Sequence, residues 1–113
     1  DVRFQSDWEL LQKQGALVCI VPGAFNMTTG PAHWELLFRG RAVDNQLFMV
    51  GVSPARNLAF SYHAYGHSLV ADPWGSVLTQ LGFEEEVAVV TVDLDRVASV
   101  RRQIPILTPP VKE

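Results

Sequence analysis

Two apolar runs on either side of a helical pattern restrict the fold of this chain more than any other feature of its sequence. The runs, residues 16–21 and 46–53, are nearly continuous rather than alternating, which is typical of strands buried on both faces. Between them, Pro31 stands where a first helical residue belongs, and apolar side chains then recur at helical spacing along one face: Trp34, Leu37, Phe38 and Ala42. Strands that alternate with helices indicate a layered α/β architecture.

The segments around this unit predict a short helix and a hairpin. A capping box, with Ser6 as N-cap and Glu9 three residues later, opens the helix, and Gly15 closes it at the C′ position. Residues 64–71 and 76–81 form the hairpin around the tetrad Asp-Pro-Trp-Gly, since its proline and glycine suit a chain reversal.

The last third of the chain predicts one more strand and one more helix. Residues 87–92 are strand-like, and Asp93 or Asp95 caps a helix that runs toward Arg102. Three prolines exclude regular structure from the tail: Pro105, Pro109 and Pro110. Near-continuous apolar strands with so few helices leave much apolar surface uncovered, so the pattern predicts half of a sandwich.

Composition and charge exclude several classes of partner. The net charge is −3 and the nine Lys and Arg residues are scattered, whereas nucleic acids and anionic membranes require clustered positive charge. No apolar run approaches the roughly 18–20 residues of a membrane span, and no signal peptide opens the chain. We therefore expect a cytoplasmic protein, with a mitochondrial location left open. Because Asp1 is not a Met, we also expect that something precedes it.

Few residues are candidates for catalysis or metal binding by themselves. Cys19, the only thiol, lies inside the first apolar run, which predicts an inert core residue rather than a nucleophile. The three histidines have no partner at ligand-like spacing and are expected to be structural: His33, His63 and His67. Glu84-Glu85-Glu86 is interpreted as a solvated turn at a hairpin tip. We therefore expect no metal site.

One stretch of sequence does predict an anion site. Residues 23–31 carry hydroxyl and amide groups and lead into the helix that begins near Pro31, where unpaired backbone N–H groups favour negative charge. Arg3 supplies a planar cation that suits a carboxylate, and the two together would hold a small carboxylate ligand if Arg3 faced the loop. The alternative is a structural pair between Arg3 and Asp1 or Glu9.

Six motifs in a fixed order resemble the nitrilase superfamily. Asp1-Val2-Arg3-Phe4 is similar to the residues that follow the nucleophile in the motif Cys-Tyr-Asp-x-Arg-Phe-Pro-Glu. Residues 22–37, which include Phe25-Asn26-Met27-Thr28-Thr29-Gly30, resemble the omega-amidase form of the next motif more than that of the deaminated glutathione amidases. The other motifs follow in order at residues 39–46, 53–56, 65–68 and 72–75.

The resemblance implies a fold and a reaction. The fold would be a four-layer α-β-β-α sandwich, and residues 1–113 would be the C-terminal portion of a carbon-nitrogen hydrolase domain. In the Glu-Lys-Cys triad, Glu is the base, Cys forms a thioester, and Lys with a backbone N–H stabilises the oxyanion. The substrates would be 2-oxoglutaramate and 2-oxosuccinamate, without a cofactor, in a homo-oligomer. All triad positions would precede Asp1, so the resemblance implies no catalytic residue within this chain.

The resemblance assigns substrate recognition to three residues of this chain. Arg3 matches the arginine that meets the substrate carboxylate, Thr29 matches a hydroxyl in the same pocket, and Phe25 matches an aromatic beside the nucleophile. Other residues of the motifs are interpreted as scaffold, including an i, i+4 pair between Glu35 and Arg39. The scaffold residues named for this reason are His33, Glu35, Arg41 and Asn45.

Two departures from the family pattern leave two hypotheses open. Gln5-Ser6 replaces Pro-Glu, and Gly40 replaces a small Ala or Ser within a helix, which costs up to about 1 kcal/mol unless something packs closely there. In the first hypothesis the chain is part of an active omega-amidase. In the second it is a truncated, non-catalytic remnant that acts through a protein partner.

Overall fold

A computed structural model describes residues 1–107, which form a four-stranded sheet with a helix packed on one of its faces. The elements, in chain order, are α1 (Gln5–Lys13), β1 (Val18–Pro22), a π-helical turn (Gly30–Trp34) that continues into α2 (Glu35–Asn45), β2 (Phe48–Val52), β3 (Leu69–Ala71), β4 (Val77–Gln80) and α3 (Asp95–Gln103). The strand order is β1-β2-β3-β4. β1 and β2 are parallel and joined through α2, whereas the other neighbouring strands are antiparallel.

Helix α1 begins earlier than its predicted capping box. Phe4 is the N-cap and Ser6 lies inside the helix, so the prediction that Ser6 caps it is wrong. The reason is a turn at the start of the chain, in which the amide of Phe4 donates to the Asp1 carbonyl at 3.1 Å. The predicted C-terminus is confirmed, because Gly15 has a φ of 99° and its amide donates back into the last helical turn.

Helix α2 packs on one face of the sheet, as its apolar spacing predicts. Trp34, Phe38 and Ala42 are all buried, and they cover the side chains of Cys19 and Met49. A glycine on β2 permits this close approach. A Cβ atom at Gly51 would lie 2.8 Å from the ring of Phe38.

The opposite face of the sheet is exposed at β1 and at the end of β2. The burial of β1 alternates, with Cys19 and Val21 buried but Ile20 67% exposed, and Val52 on β2 is 45% exposed. The prediction that both apolar runs are buried on both faces is therefore wrong for β1. Nothing within residues 1–107 forms a second layer over Ile20 and Val52.

The predicted hairpin is present with a shorter first strand. The Asp72 carboxylate accepts hydrogen bonds from the amides of Trp74 and Ser76, both at 2.9 Å, which fixes the turn between β3 and β4. Residues 64–68 are not part of β3. Arg56 instead holds two of their carbonyls, because its guanidinium donates to Ala64 and Tyr65 at 3.0 Å each.

The predicted strand at residues 87–92 is not formed. Val87 and Val89 are 93% and 96% exposed, and the segment joins none of the four strands in the described part of the chain. The final helix is confirmed, and α3 ends just beyond Arg102, but the prediction that Asp93 or Asp95 caps it is wrong. Leu94 is the N-cap and no side chain caps the helix; the Asp93 carboxylate instead accepts the amide of Asp95 at 3.0 Å in the turn before it. The predictions for Pro109 and Pro110 lie outside the described residues. No helix within residues 1–107 has the length and apolar character that crossing a bilayer requires.

Candidate functional site

A cavity of about 220 Å³ lies at the carboxyl end of β1. The first residues of the chain form one wall, and the loop after β1 forms the other. Its lining residues are Asp1, Val2, Arg3, Val21, Pro22, Gly23, Ala24, Phe25, Trp34 and Phe38. The carboxyl ends of strands are where open α/β sheets bind ligands, so the position itself favours a binding site.

Arg3 lies across the ring of Phe25 at this cavity. The guanidinium carbon is 4.1 Å from the centre of the ring, which places Arg3 against the loop of residues 23–31. Its Nη1 also pairs with Asp1 at 3.3 Å, whereas Glu9 pairs with Lys13. In the hydrogen bonds of the described residues the guanidinium uses only Nη1, so its remaining N–H groups can donate to a ligand.

Phe25 is a rigid wall of the cavity because an aromatic cluster supports it. Its ring meets Trp34 edge to face with centroids 5.0 Å apart, and Trp34 meets Phe38 in the same manner at 4.7 Å. The Trp34 indole donates to the His67 carbonyl at 2.7 Å, and the Phe25 carbonyl accepts the amide of Tyr65 at 2.7 Å. Both the ring and the backbone of Phe25 are therefore fixed.

Thr29 is not among the residues that line the cavity. Its hydroxyl donates to the side-chain oxygen of Asn26 at 3.0 Å, and the same oxygen accepts the amides of Thr28 and Thr29. The structure thus brings together two of the three predicted site residues, Arg3 and Phe25. Asn26 was missed by the sequence analysis, although an Asn that precedes a helix start is a recognised turn-forming signal.

Arg41, interpreted from sequence as scaffold, holds the backbone that carries Arg3. Its Nε donates to the Val2 carbonyl at 2.9 Å and its Nη2 to the Arg3 carbonyl at 3.0 Å. The indole of Trp8 also donates to the Val2 carbonyl, at 3.3 Å. No local pattern marks this contact, because Arg41 is 38 residues from Arg3.

The departure at Gln5 has a structural explanation. The side-chain amides of Gln5 and Asn45 exchange two hydrogen bonds, both of 3.0 Å, and Asn45 is buried. A proline at this position would lack that side chain. Gln5 therefore ties α1 to the end of α2 close to the segment that carries Arg3.

Arg39 does not form the predicted pair with Glu35. Its Nε instead donates to the Gly75 carbonyl at 2.7 Å, which ties α2 to the turn between β3 and β4. Cys19 is buried, as expected, and burial raises the pKa of its thiol above the usual range. Glu84-Glu85-Glu86 is exposed but follows β4 rather than forming a hairpin tip. Among residues 1–107, His, Cys, Asp and Glu side chains form no cluster that could hold a metal ion.

A second cavity, of about 700 Å³, adjoins the first at Ala24. The Tyr62 hydroxyl donates to the Ala24 carbonyl at 2.6 Å and so connects the two walls. The lining residues of this second cavity are Ala24, Pro54, Ala55, Arg56, Asn57, Leu58, Phe60, Tyr62, Ala64, Glu84 and Glu85. The second cavity therefore lies beside the candidate site, along the loop between β2 and β3.

Solved structures identify the architecture around this site. The chain is similar to Nit3 of Saccharomyces cerevisiae, a member of branch 10 of the nitrilase superfamily, with a TM-score of 0.92 and 46% identity over 96% of this chain and 40% of that chain. It is also similar to the NitFhit protein of C. elegans, with a TM-score of 0.89 and 37% identity over 94% of this chain and 26% of that chain. The fold is that of part of a nitrilase-like α-β-β-α sandwich, as predicted.

Sequence comparison gives the family. The pattern of the carbon-nitrogen hydrolases matches residues 1–102, and the chain belongs to the carbon-nitrogen hydrolase family. It is 54% identical to the omega-amidase NIT2 of Danio rerio over 94% of this chain and 38% of that protein. The omega-amidase NIT2 of Homo sapiens is 49% identical over the same shares. The chain thus spans about 38% of the length of these relatives.

Proposed function

We propose that this chain is the C-terminal portion of an omega-amidase. The whole enzyme would hydrolyse the terminal amide of 2-oxoglutaramate or 2-oxosuccinamate, releasing ammonia and the 2-oxo dicarboxylate. A cysteine of a Glu-Lys-Cys triad, outside residues 1–113, would attack the amide carbon and form a thioester that water then hydrolyses. Identity of about half to proteins named omega-amidase supports the proposal.

The position of Arg3 is the observation that carries this proposal. Both proposed substrates have a carboxylate at the end remote from the amide, and a guanidinium binds a carboxylate through two parallel hydrogen bonds. The ring of Phe25, 4.1 Å away, keeps water from one face of the guanidinium and restricts its orientation. The cavity beside them, about 220 Å³, is of a size for a small acid. Arg3 would anchor the carboxylate while Phe25 packs against the carbon chain.

Thr29 has a different role in this proposal. Because its hydroxyl proton is given to Asn26, its oxygen remains an acceptor. An acceptor does not suit a carboxylate, but it suits the N–H of an amide. Thr29 does not line the cavity within residues 1–107, so we propose its contact, from this oxygen to an N–H of the substrate amide, separately from the anchoring of the acid by Arg3.

Ammonia release from 2-oxosuccinamate tests the proposed function. The assay uses the natural polypeptide that contains this chain, its Arg3→Ala variant, and Arg3→Lys as a variant that keeps the charge but not the planar fork. We expect Arg3→Ala to raise KM roughly tenfold to a hundredfold, the usual value of a charge-assisted pair, and Arg3→Lys to recover part of the loss. An inactive polypeptide that retains the triad would refute the enzyme proposal.

The exposed face of the sheet bears on the alternative of a non-catalytic remnant. Ile20 and Val52 leave an apolar area open, and Val87 and Val89 lie almost wholly in solvent. Since the chain spans about 38% of its relatives' length, we propose that the rest of the hydrolase domain covers these residues. Light scattering on the natural polypeptide separates the cases. A full-length homo-oligomer fits the amidase, whereas a short chain bound to a different protein chain fits the remnant.

A further inference from the structure

We infer that Arg41 is a positioning residue that holds Arg3 over Phe25 for the carboxylate of the substrate. This inference rests on the proposed omega-amidase function and assigns a task to a residue of α2 that does not line the cavity. Arg41 donates to two successive carbonyls, those of Val2 and Arg3, at 2.9 and 3.0 Å. Two bonds to adjacent carbonyls fix both the place of the backbone and its rotation.

The geometry requires a guanidinium. The two donors, Nε and Nη2, lie on one edge of a rigid plane, and a single ammonium group cannot reproduce their spacing. The third nitrogen of the Arg41 guanidinium, Nη1, lies 3.6 Å from the carboxylate of Asp44, one turn along α2. This contact limits rotation of the guanidinium plane. The side chain is only 16% exposed, so water competes weakly for its donors.

Loss of Arg41 would loosen the segment without releasing it. Val2 is 2% exposed, and its carbonyl also accepts the Trp8 indole at 3.3 Å, so the start of the chain stays attached to α1. The Arg3 carbonyl, in contrast, would lose its hydrogen bond to α2. The guanidinium of Arg3 would then spread over several positions, and substrates that need it would suffer more than substrates that do not.

Comparison of two substrates tests this role. We would measure kcat/KM of the natural polypeptide for 2-oxosuccinamate and for butyramide, an uncharged amide with the same number of carbons. Arg41→Ala should lower the value for 2-oxosuccinamate by roughly ten- to hundredfold more than for butyramide, as expected when a binding group is misplaced by about 1 Å. Arg41→Lys should restore little. The double variant Arg3→Ala with Arg41→Ala should prefer 2-oxosuccinamate over butyramide no less than Arg3→Ala alone does, because Arg41 acts on the preference only through Arg3.

Arg39→Ala is the matched control. Arg39 lies on the same helix and also makes a bond to a distant backbone carbonyl, that of Gly75 at 2.7 Å. Its loss should reduce stability to a similar degree and leave the preference between the two amides unchanged. If Arg41→Ala, like Arg39→Ala, lowers kcat/KM by the same factor for 2-oxosuccinamate and for butyramide, Arg41 has only a structural role and the inference is overturned.

A second measurement keeps this test separate from the proposed function. The Nε–H resonance of Arg3 in ¹H–¹⁵N spectra reports the ring current of Phe25 directly, whatever the substrate is. Arg41→Ala or Arg41→Lys should move this resonance toward the random-coil position, and Arg39→Ala should not. An unmoved resonance in both Arg41 variants overturns the inference, whereas a moved resonance with no effect of Arg3→Ala on catalysis overturns only the carboxylate anchor.

Discussion

Replacement of glycine by alanine is predicted to have opposite effects on the two sides of the interface between α2 and β2. At Gly51 the new Cβ would lie 2.8 Å from one ring atom of Phe38 and 3.0 Å from Trp34. Both side chains are buried, so they cannot move away, and overpacking of this kind costs about 1–3 kcal/mol. At Gly40 no atom lies within 4 Å, and alanine gains up to about 1 kcal/mol of helix propensity. The free energies of unfolding of the two variants should therefore differ by roughly 1–4 kcal/mol.

Equilibrium unfolding in guanidinium chloride measures this difference. In the natural polypeptide, the midpoint should fall for Gly51→Ala and rise for Gly40→Ala, with the slope m unchanged in both. A Gly51→Ala variant as stable as its parent would show that the aromatic rings have room to move. A Gly40→Ala variant less stable than its parent would show that the glycine at this position is required by a neighbour.

Three further outcomes follow from single contacts. Because burial raises the pKa of Cys19, the fraction of thiolate is reduced at any given pH; alkylation by iodoacetamide, followed by peptide mass spectrometry, should be slow until urea unfolds the protein. Asp72→Ala removes the acceptor of two turn amides and should lower the free energy of unfolding by about 1–3 kcal/mol, with Asp72→Asn less affected, as measured by chemical denaturation. Gly30→Ala places a Cβ in steric clash with the Cβ and Cγ atoms of Tyr65 and should lower the melting temperature in calorimetry; an unchanged value would contradict that contact.

The elements that sequence predicts correctly are those specified locally. The buried stripe of Trp34, Phe38 and Ala42 follows directly from helical spacing, and the hairpin turn follows from an Asp whose side chain bonds amides two and four residues later. The end of α1 at Gly15 is likewise a local matter, since glycine adopts positive φ without strain. These predictions needed no knowledge of the rest of the fold.

Apart from the predicted caps of α1 and α3, which fail because of local turns at Asp1 and Asp93, the elements that sequence predicts wrongly depend on distant contacts. A strand at residues 87–92 requires a neighbouring strand, and the described part of the chain offers none. The buried-strand prediction for β1 fails at Ile20 for the same reason. Within the site, Arg3 and Phe25 could be predicted from motif resemblance. The role of Arg41 could not, because its contacts cross 38 and 39 residues and depend on the direction of its side chain.

Because the segment at residues 87–92 is exposed and rich in valine, we expect residues 1–113, expressed alone, to be prone to aggregation. Four of its six residues are valines, it contains no proline or charged residue, and Val89 is 96% exposed. Such a segment is a template on which a second copy can add as a strand, and at high concentration the process continues into insoluble assemblies. A lysine in place of Val89 would oppose that growth by charge repulsion. If the rest of the hydrolase domain covers these valines, as proposed above, the solubility of residues 1–113 alone says little about the solubility of the longer protein.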